Sequence, residues 1–246
     1  MTASFARAVD VVLTADALVP ACLPSATALV IDVLRASSTI TTALAHGAAG
    51  IIAVADVEEA RQRAAALGRG ALLAGERGGD APPGFDLGNS PLEFTRDRVA
   101  DRLIVMTTSN GTRAFAAARN AAAVGVAAFV NASAAASWAA QQGRDVVLIC
   151  SGELGHPSLE DHACAGWLGG LLEKEGATLT PAAAEARALA ADYASDLGRL
   201  AVDAPHARGL IAKGRADDVA ACLTLDVFAV VAARGADVDK LVLASP

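Results

Sequence analysis

A polar segment at residues 32–39 (DVLRASST) directly follows a short apolar run and leads into an alanine-rich stretch. Asp32 and Arg35 stand in it, followed by hydroxyls at Ser37, Ser38 and Thr39. Backbone N–H groups at a helix start can hold a phosphate together with such hydroxyls, and an arginine can add a two-pronged contact. The plainer alternative is that a serine only caps the helix and that Asp32 pairs with Arg35.

Similar polar segments follow other apolar runs. Glu76 and Arg77 stand among glycines after residues 71–74, and such glycines let a ligand approach closely. Hydroxyl- and amide-rich bends follow residues 102–107 and 145–150, and the acidic pair Glu160 and Asp161 comes soon after the second bend. Each segment alone is also compatible with an ordinary turn. The glycine- and proline-rich loop at 75–95 adds Asn89 and Ser90, which it could present to an anion.

Together these segments suit a phosphorylated ligand bound with a divalent metal. Ligands of open α/β sheets gather at the carboxyl ends of the strands, so we expect the polar segments to meet there. Carboxylate oxygens select hard cations such as Mg²⁺, which also keeps water and substrate phosphate as ligands. The metal-ligand candidates are Asp32, Glu76, Glu160 and Asp161. The set is compatible with phosphate hydrolysis and equally with a phosphate-binding domain of another activity.

Other reaction classes have less support. The sequence contains no GxSxG, HExxH or Walker A motif and no GxGxxG after a predicted strand. A Cys164 nucleophile assisted by His162 or His156 is conceivable, but Cys164 would lie on the apolar face of a helix, where a small buried thiol is the commoner role. The four cysteines have no CxxC spacing, so neither a structural zinc site nor a disulfide framework is indicated.

The elements that must position these residues alternate along the chain. Short apolar runs at 28–33, 50–55, 71–74, 102–107, 122–130 and 145–150 predict buried strands. Helices are predicted between and after them, at 38–46, 57–67, 111–118, 133–142, 160–175, 182–200, 207–213 and 217–232. This alternation predicts an α/β fold with a mainly parallel sheet and helices on both faces.

Composition sets the limits of these predictions. With 54% hydrophobic and 19% charged residues in 246, the chain should fold as one unit over 1–246, and a division into two lobes near 119–130 is left open. No apolar run reaches the length of a membrane span and no secretory signal is evident, so we expect a cytoplasmic protein. A net charge of −7 without a basic cluster disfavours nucleic-acid binding. The expected partner is a small anionic phosphorylated substrate, and a homodimer is left open.

Ordered blocks of the sequence resemble the signature segments of the 2-phosphosulfolactate phosphatases, and they cover most of the chain. The blocks are IDVLRASSTI (31–40), GERGG (75–79), GFDLGNSP (84–91), TTSNGT (107–112), CSGELGHPSLEDHACAG (150–166) and PHARGLIAKGRADDVAACLTLD (205–226). The resemblance implies Mg²⁺-dependent hydrolysis of 2-phospho-3-sulfolactate to sulfolactate and phosphate, a step toward coenzyme M. It also implies two similar three-layer α/β/α lobes with the active site in the cleft between them.

The resemblance assigns roles by position. Asp32 and Glu76 look like the metal-side acids, with Glu160 or Asp161 as further candidates, and Arg35 like a catalytic cation. The matched positions for the phosphate and the other acid groups are Ser37, Ser38, Thr39, Arg77, Asn89, Ser90, Asn110, Gly111, Thr112, Ser151 and Gly152. Pro205-His206-Ala207-Arg208 stands where the family has a serine followed by His-Gly-Arg, so a role for His206 is left open. Attack by water and a phosphoaspartate on Asp32 both remain open, as does a phosphometabolite-binding domain without turnover.

Overall fold

The computed structural model describes residues 7–19, 23–68, 70–236 and 240–244, so Cys22 lies outside the described residues. Its strands are β1 Ala8–Val12, β2 Thr27–Ile31, β3 Gly50–Ala53, β4 Leu72–Gly75, β5 Leu103–Thr107, β6 Ala123–Ala127, β7 Val146–Cys150, β8 Thr178–Leu179, β9 Ala232–Arg234 and β10 Lys240–Leu243. Its α-helices are α1 Ala36–Ala45, α2 Val57–Leu67, α3 Arg96–Val99, α4 Gly111–Ala118, α5 Ala132–Gln141, α6 Leu159–Lys174, α7 Pro181–Ala191, α8 Leu200–Asp203, α9 Pro205–Ala212 and α10 Ala216–Cys222.

These strands form one mixed sheet in the order β4-β5-β3-β10-β9-β6-β2-β7-β1-β8. The strands β4, β5 and β3 are mutually parallel, and so are β6, β2, β7, β1 and β8. Antiparallel pairing through β10 and β9 joins the two parallel groups. The predicted α/β fold with a mainly parallel sheet and helices on both sides is therefore confirmed, while the two-lobe arrangement stays a prediction.

The central strand β2 is buried along its whole length, as expected for a parallel strand covered on both faces. Its side chains alternate between two core clusters, because successive residues of a strand point to opposite faces. Leu29 and Ile31 pack with α5 and α6, whereas Ala28 and Val30 pack with α1 and α4. The alanine-rich composition thus belongs to helices that lie closely against each face.

A close helix contact explains one glycine. A Cβ built on Gly166 of α6 would lie 1.9 Å from the carbonyl oxygen of Ala186 in α7. No side chain fits in that space, so α6 and α7 pack with their backbones nearly touching. The packing of α7 against α6 therefore depends on a residue without a Cβ at position 166.

The predicted strands and helices agree with the structure over most of the chain, but three helical or strand predictions were too long. The strand predicted over 122–130 ends at Ala127, and the helix predicted over 182–200 ends at Ala191. The helix predicted over 217–232 ends at Cys222, because the following backbone bonds to another segment: the N–H groups of Asp226 and Phe228 donate to the carbonyls of Phe129 and Val130. The strands β1, β8, β9 and β10 were not predicted.

Every helix in the described part of the chain is too short or too polar to cross a bilayer. Cys150, Cys164 and Cys222 are buried free thiols.

Candidate active site

Asp32 lies at the carboxyl end of β2, in the turn that leads into α1. Its side chain is almost fully buried, with 5% of the residue exposed. Its Oδ1 accepts a hydrogen bond from the N–H of Ala36 at 3.0 Å, and its own N–H donates to Ser37 Oγ at 3.0 Å. The carboxylate is therefore held in a fixed orientation by the first residues of α1.

A second turn packs directly against this carboxylate. A Cβ built on Gly111, the first residue of α4, would lie 2.6 Å from Asp32 Oδ2 and 2.7 Å from the Cβ of Ala36. The bend after β5 can reach Asp32 only because position 111 carries no side chain. The turns after β2 and β5 therefore meet at Asp32 and Gly111, although these two strands run in opposite directions in the sheet.

Glu76 comes directly after β4 and is also buried. Its Oε1 accepts from the N–H of Ser109 at 2.7 Å, and its Oε2 accepts from the N–H of Gly79 at 2.8 Å. The hydroxyl of Ser109 adds a longer bond to Oε2. These donors fix the carboxylate between the loop after β4 and the bend after β5.

Asp32 and Glu76 face a common cavity of about 240 Å³. The residues that line it are Asp32, Leu34, Arg35, Glu76, Gly78, Gly79, Asn89, Ser109, Asn110, Glu153, Leu154, His206, Gly209, Leu210 and Lys213. They come from both parallel groups of strands and from α9. A cavity of this size suits a small, highly polar ligand.

The cavity carboxylates interact with one another. The pKa of Asp32 is raised from 3.8 to about 6, chiefly by burial and in smaller part by the negative charge of Glu76. The N–H of Ala36, the charge of His206 and the hydroxyl of Ser151 each oppose that rise. The two buried carboxylates repel each other across one cavity. A hard cation bound between them would relieve that repulsion, and carboxylate oxygens are the ligands that such a cation prefers.

Asp161 is enclosed by hydrogen-bond donors. Its Oδ1 accepts from the N–H of Val33 at 2.8 Å, and its Oδ2 accepts from Ser151 Oγ at 3.0 Å and the N–H of Gly152 at 3.2 Å. Burial raises its pKa well above the usual value, and the charges of Asp32 and Glu160 add to that rise. Asp161 is not among the cavity-lining residues, and its contacts tie the bend after β7 to the turn after β2.

Glu160 also lies outside the cavity lining. It is buried, with 1% exposure, and its Oε1 contacts His206 Nδ1 at 3.1 Å. Its Oε2 is buried without a hydrogen-bond partner among the described residues. In the described part of the chain no three His, Cys, Asp or Glu side chains are grouped as a metal site. The carboxylates that line the cavity are Asp32, Glu76 and Glu153, and of these Asp32 and Glu76 are buried.

Arg35 pairs with an acid far along the chain rather than with Asp32. Its Nη1 lies 2.6 Å from Asp218 Oδ2, and its Nη2 donates to the carbonyl of Gly79 at 2.8 Å. Ser90 donates to the other oxygen of Asp218 at 2.5 Å. The alternative of an Asp32–Arg35 pair is therefore wrong, and the charge of Arg35 is balanced inside the protein.

The hydroxyls at the start of α1 are engaged within the protein. Ser37 donates to the carbonyl of Val30, Ser38 to that of Val33 and Thr39 to that of Asn89. All of these hydroxyl residues are fully buried. They shape the turn around Asp32, and the structure does not place them on the cavity lining.

The other predicted binding residues fall into two groups. Asn89 and Asn110 line the cavity, and the buried Oδ1 of Asn89 has no hydrogen-bond partner among the described residues. Thr112 instead lies in the first turn of α4, where its hydroxyl donates to the carbonyl of Thr108 and its N–H donates to Thr108 Oγ1. Arg77 is not brought to the cavity: its guanidinium binds Thr107 Oγ1 and the carbonyls at positions 55 and 76.

His206 and Lys213 complete the cavity from α9 and the residue after it. Burial by itself lowers the pKa of His206, but the hydrogen bond and charge of Glu160 outweigh it, and the nearby charges of Glu153 and Asp32 add to the effect. The net result is a pKa raised from 6.5 to about 9, so the imidazole is protonated at neutral pH. Lys213 Nζ donates to the carbonyl of Gly78 at 2.6 Å.

Sequence reasoning left His206 open and missed Lys213, Glu153, Ser109 and Asp218. One signal was available: His206, Gly209, Leu210 and Lys213 recur at spacings that share one helix face. The partnership of Asp218 with Arg35 spans 183 positions and has no local signal.

Cys164 has the features of a core residue. It is fully buried, and burial raises the pKa of its thiol well above the usual value, with the charge of Asp161 adding to the rise. A thiol held protonated in this way is a poor nucleophile. The structure therefore favours the core role over the nucleophile.

Comparisons with known proteins agree on one family. The family model described as 2-phosphosulpholactate phosphatase matches residues 12–235. A protein of Thermotoga petrophila named probable 2-phosphosulfolactate phosphatase is 38% identical over 218 residues, which are 88% of this chain and 93% of the relative. A protein of Gloeobacter violaceus with the same name is 42% identical over 211 residues, 85% of this chain and 88% of the relative.

Proposed function

This chain belongs to the 2-phosphosulfolactate phosphatase family, and on that premise we propose that it is a Mg²⁺-dependent phosphatase. Its substrate would be 2-phospho-3-sulfolactate or a related phosphorylated hydroxy acid, and its products the free hydroxy acid and phosphate. The observation that carries the proposal is the pair of buried carboxylates, Asp32 and Glu76, on one small cavity at the carboxyl ends of β2 and β4.

Asp32 and Glu76 are the residues that would hold Mg²⁺. Their oxygens are the ligand type that this cation prefers, and both face the cavity, whereas Asp161 and Glu160 are occupied outside it. When bound, Mg²⁺ neutralises charge on the phosphoryl oxygens. With the metal bound, both carboxylates can be ionised at the same time. Protons compete with the metal for them at low pH, so metal binding is favoured at neutral and higher pH.

The remaining cavity residues would orient the phosphorylated ligand. The side-chain amides of Asn89 and Asn110 face the cavity, and Asn89 has a polar atom to spare. Arg35 also lines the cavity, where it could contact a phosphoryl oxygen. Its ion pair with Asp218 and its bond to the carbonyl of Gly79 also fix the loop after β4. Ser37, Ser38 and Thr39 support the turn that carries Asp32.

The fixed orientation of Asp32 suits two routes. Its carboxylate can orient an attacking water, or it can itself attack the phosphorus and form a phosphoaspartate that water then hydrolyses. In the second route the phosphorus–oxygen ester bond breaks as the Asp32 oxygen bonds to phosphorus, and the hydroxy acid leaves with a proton from solvent. Trapping with a labelled substrate distinguishes the routes.

We also propose that the two parallel groups of the sheet correspond to the two lobes that the family resemblance implies. The β4-β5-β3 group contributes Glu76, and the β6-β2-β7-β1-β8 group contributes Asp32. A site at their junction draws one carboxylate from each group.

A panel of phosphorylated hydroxy acids tests the function. Phosphate release is measured from 2-phospho-3-sulfolactate, 2-phospholactate and phosphoglycerate, each with Mg²⁺ and with EDTA. We expect release that requires Mg²⁺ and is fastest with the sulfonated substrate. Tight binding of these compounds without any release would favour the alternative of a phosphometabolite-binding domain.

A further inference from the structure

One face of α9 forms a wall of the cavity. His206, Gly209, Leu210 and Lys213 all line it, and their spacing of three, four and seven residues places them on the same helix face. The wall carries a cation near each end, about two helical turns apart, with a glycine between them. A Cβ built on Gly209 would meet no atom within 4 Å, so the middle of the wall is open space.

The cation at the first end is His206, which pairs with Glu160, a residue outside the cavity lining. Its Nδ1 lies 3.1 Å from Glu160 Oε1, and that carboxylate is 1% exposed. A buried carboxylate is costly unless a cation pairs with it, so the pair holds the imidazole in its protonated form. Glu160 is thus a positioning residue that keeps a positive charge on the cavity side of α9.

The cation at the other end is Lys213. Its Nζ donates to the carbonyl of Gly78, a bond to a neutral group that leaves the ammonium charge unbalanced and further N–H donors free. No ion pair of Lys213 is present among the described residues. The charge therefore stands at the cavity edge, beside the loop that carries Glu76.

The arginines that the sequence suggested are less suited to this role. Both terminal nitrogens of Arg35 are engaged within the protein, Nη1 with Asp218 at 2.6 Å and Nη2 with the carbonyl of Gly79 at 2.8 Å, and Arg77 does not line the cavity. The lining acids are Asp32, Glu76 and Glu153. A ligand with several acid groups needs positive charge in this cavity, and within the described lining His206 and Lys213 remain to provide it.

We propose that this face of α9 recognises the acid groups of the substrate other than its phosphate, with His206 binding the carboxylate and Lys213 the sulfonate. The inference rests on the proposed function. His206 lines the same cavity as Asp32, and its partner Glu160 precedes Asp161, whose Oδ1 accepts from the N–H of Val33 next to Asp32, so His206 lies on the Asp32 side of the cavity. The substrate carboxylate shares a carbon with the phosphate ester, which places it on the same side. The sulfonate lies one carbon further away, toward Lys213.

The test compares two substrates that differ in the sulfonate. Phosphate release from 2-phospho-3-sulfolactate and from 2-phospholactate is measured for the wild type and for Lys213→Met and His206→Gln. Removal of one charge-assisted hydrogen bond should weaken substrate binding by about 10-fold or more. We expect Lys213→Met to raise KM about 10-fold for the sulfonated substrate alone, with kcat little changed. We expect His206→Gln to raise KM for both substrates.

Controls separate charge from folding. Lys174→Met removes an exposed lysine at the end of α6, away from the cavity, and should leave both KM values unchanged. Lys213→Arg keeps the charge and should recover most of the preference for the sulfonated substrate. Sulfolactate inhibition gives a second readout, since its inhibition constant should weaken in Lys213→Met as KM rises.

The outcomes for the two proposals differ. Absence of phosphate release by the wild type from every substrate would overturn the proposed function. If the wild type is active and the substrate preference of Lys213→Met differs from that of the wild type by no more than about twofold, the α9 inference alone is overturned. The loss of one charge-assisted contact should change the preference by more than that.

Discussion

Arg35 and Asp218 form a buried ion pair beside the cavity, with 2.6 Å between Nη1 and Oδ2. Arg35 comes from the turn after β2 and Asp218 from α10, so the pair joins elements that lie far apart in sequence. Ser90 donates to the second carboxylate oxygen, and Arg35 Nη2 reaches the carbonyl of Gly79. The pair therefore fixes the loops that surround Glu76 and Asn89 against the turn that carries Asp32.

Removing Asp218 should destabilise the protein strongly. Asp218→Ala leaves the buried guanidinium of Arg35 without a counter-charge, which costs about 3–5 kcal/mol in comparable pairs. We expect a clear fall in the denaturant midpoint and in kcat/KM. Asp217→Asn, on the exposed side of the same helix, should change neither. Equal unfolding curves for Asp218→Ala and the wild type would contradict the structural role of the pair.

Asp32→Asn should abolish activity while stabilising the metal-free protein at high pH. The folded pKa of Asp32 is about 6 against 3.8 unfolded, so its contribution to stability is present below pH 3.8 and is lost as pH rises through 6. The cost at pH 8 is about 3 kcal/mol at most for a shift of this size. In EDTA, the melting temperature of Asp32→Asn should be higher than that of the wild type at pH 8 and equal to it at pH 4. A lower melting temperature for the variant at pH 8 would be the opposite result.

Gly111→Ala tests the close approach of two turns. The new Cβ would meet Asp32 Oδ2 at 2.6 Å, so either the carboxylate or the start of α4 must move. We expect kcat to fall by about 10-fold or more, since small misplacements of reacting groups are costly. Gly170→Ala is the matched control, because its nearest neighbour is a side-chain atom at 3.8 Å. Unchanged kcat in Gly111→Ala would show that Asp32 tolerates displacement.

The His206–Glu160 pair predicts a pH-dependent stability. The folded pKa of His206 is about 9 and the unfolded value is 6.5, so the stabilisation is fully present below pH 6.5 and is lost as pH rises through 9. The difference in melting temperature between the wild type and His206→Gln should be largest at pH 6 and small at pH 10. A difference that is constant across this range would mean that the imidazole is not charged by Glu160.

The sequence predicted six of the ten described strands and some of the residues that converge at the strand ends. Asp32, Glu76 and Gly111 each lie at or shortly after the end of a predicted strand. Parallel pairing alone does not bring them together, because three antiparallel pairings make β4 and β5 run opposite to β2. The functions of Arg35 and Arg77 could not be assigned in the same way, because their partners are chosen by tertiary packing: Asp218 for the first, and Thr107 with main-chain carbonyls for the second. The helix end at Cys222 likewise depends on a long-range backbone contact to residues 129 and 130.

The metal-dependent use of Asp32 and Glu76 is the central claim, and one titration tests it most directly. Phosphate release from 2-phospho-3-sulfolactate is followed against Mg²⁺ concentration for the wild type, Asp32→Asn and Glu76→Gln, with circular dichroism to verify folding. We predict saturable activation of the wild type, none in EDTA, and a loss of about 100-fold or more in each folded variant at any Mg²⁺ concentration. Wild-type activity that is unaffected by EDTA, or a folded variant that retains most of that activity, would contradict the account.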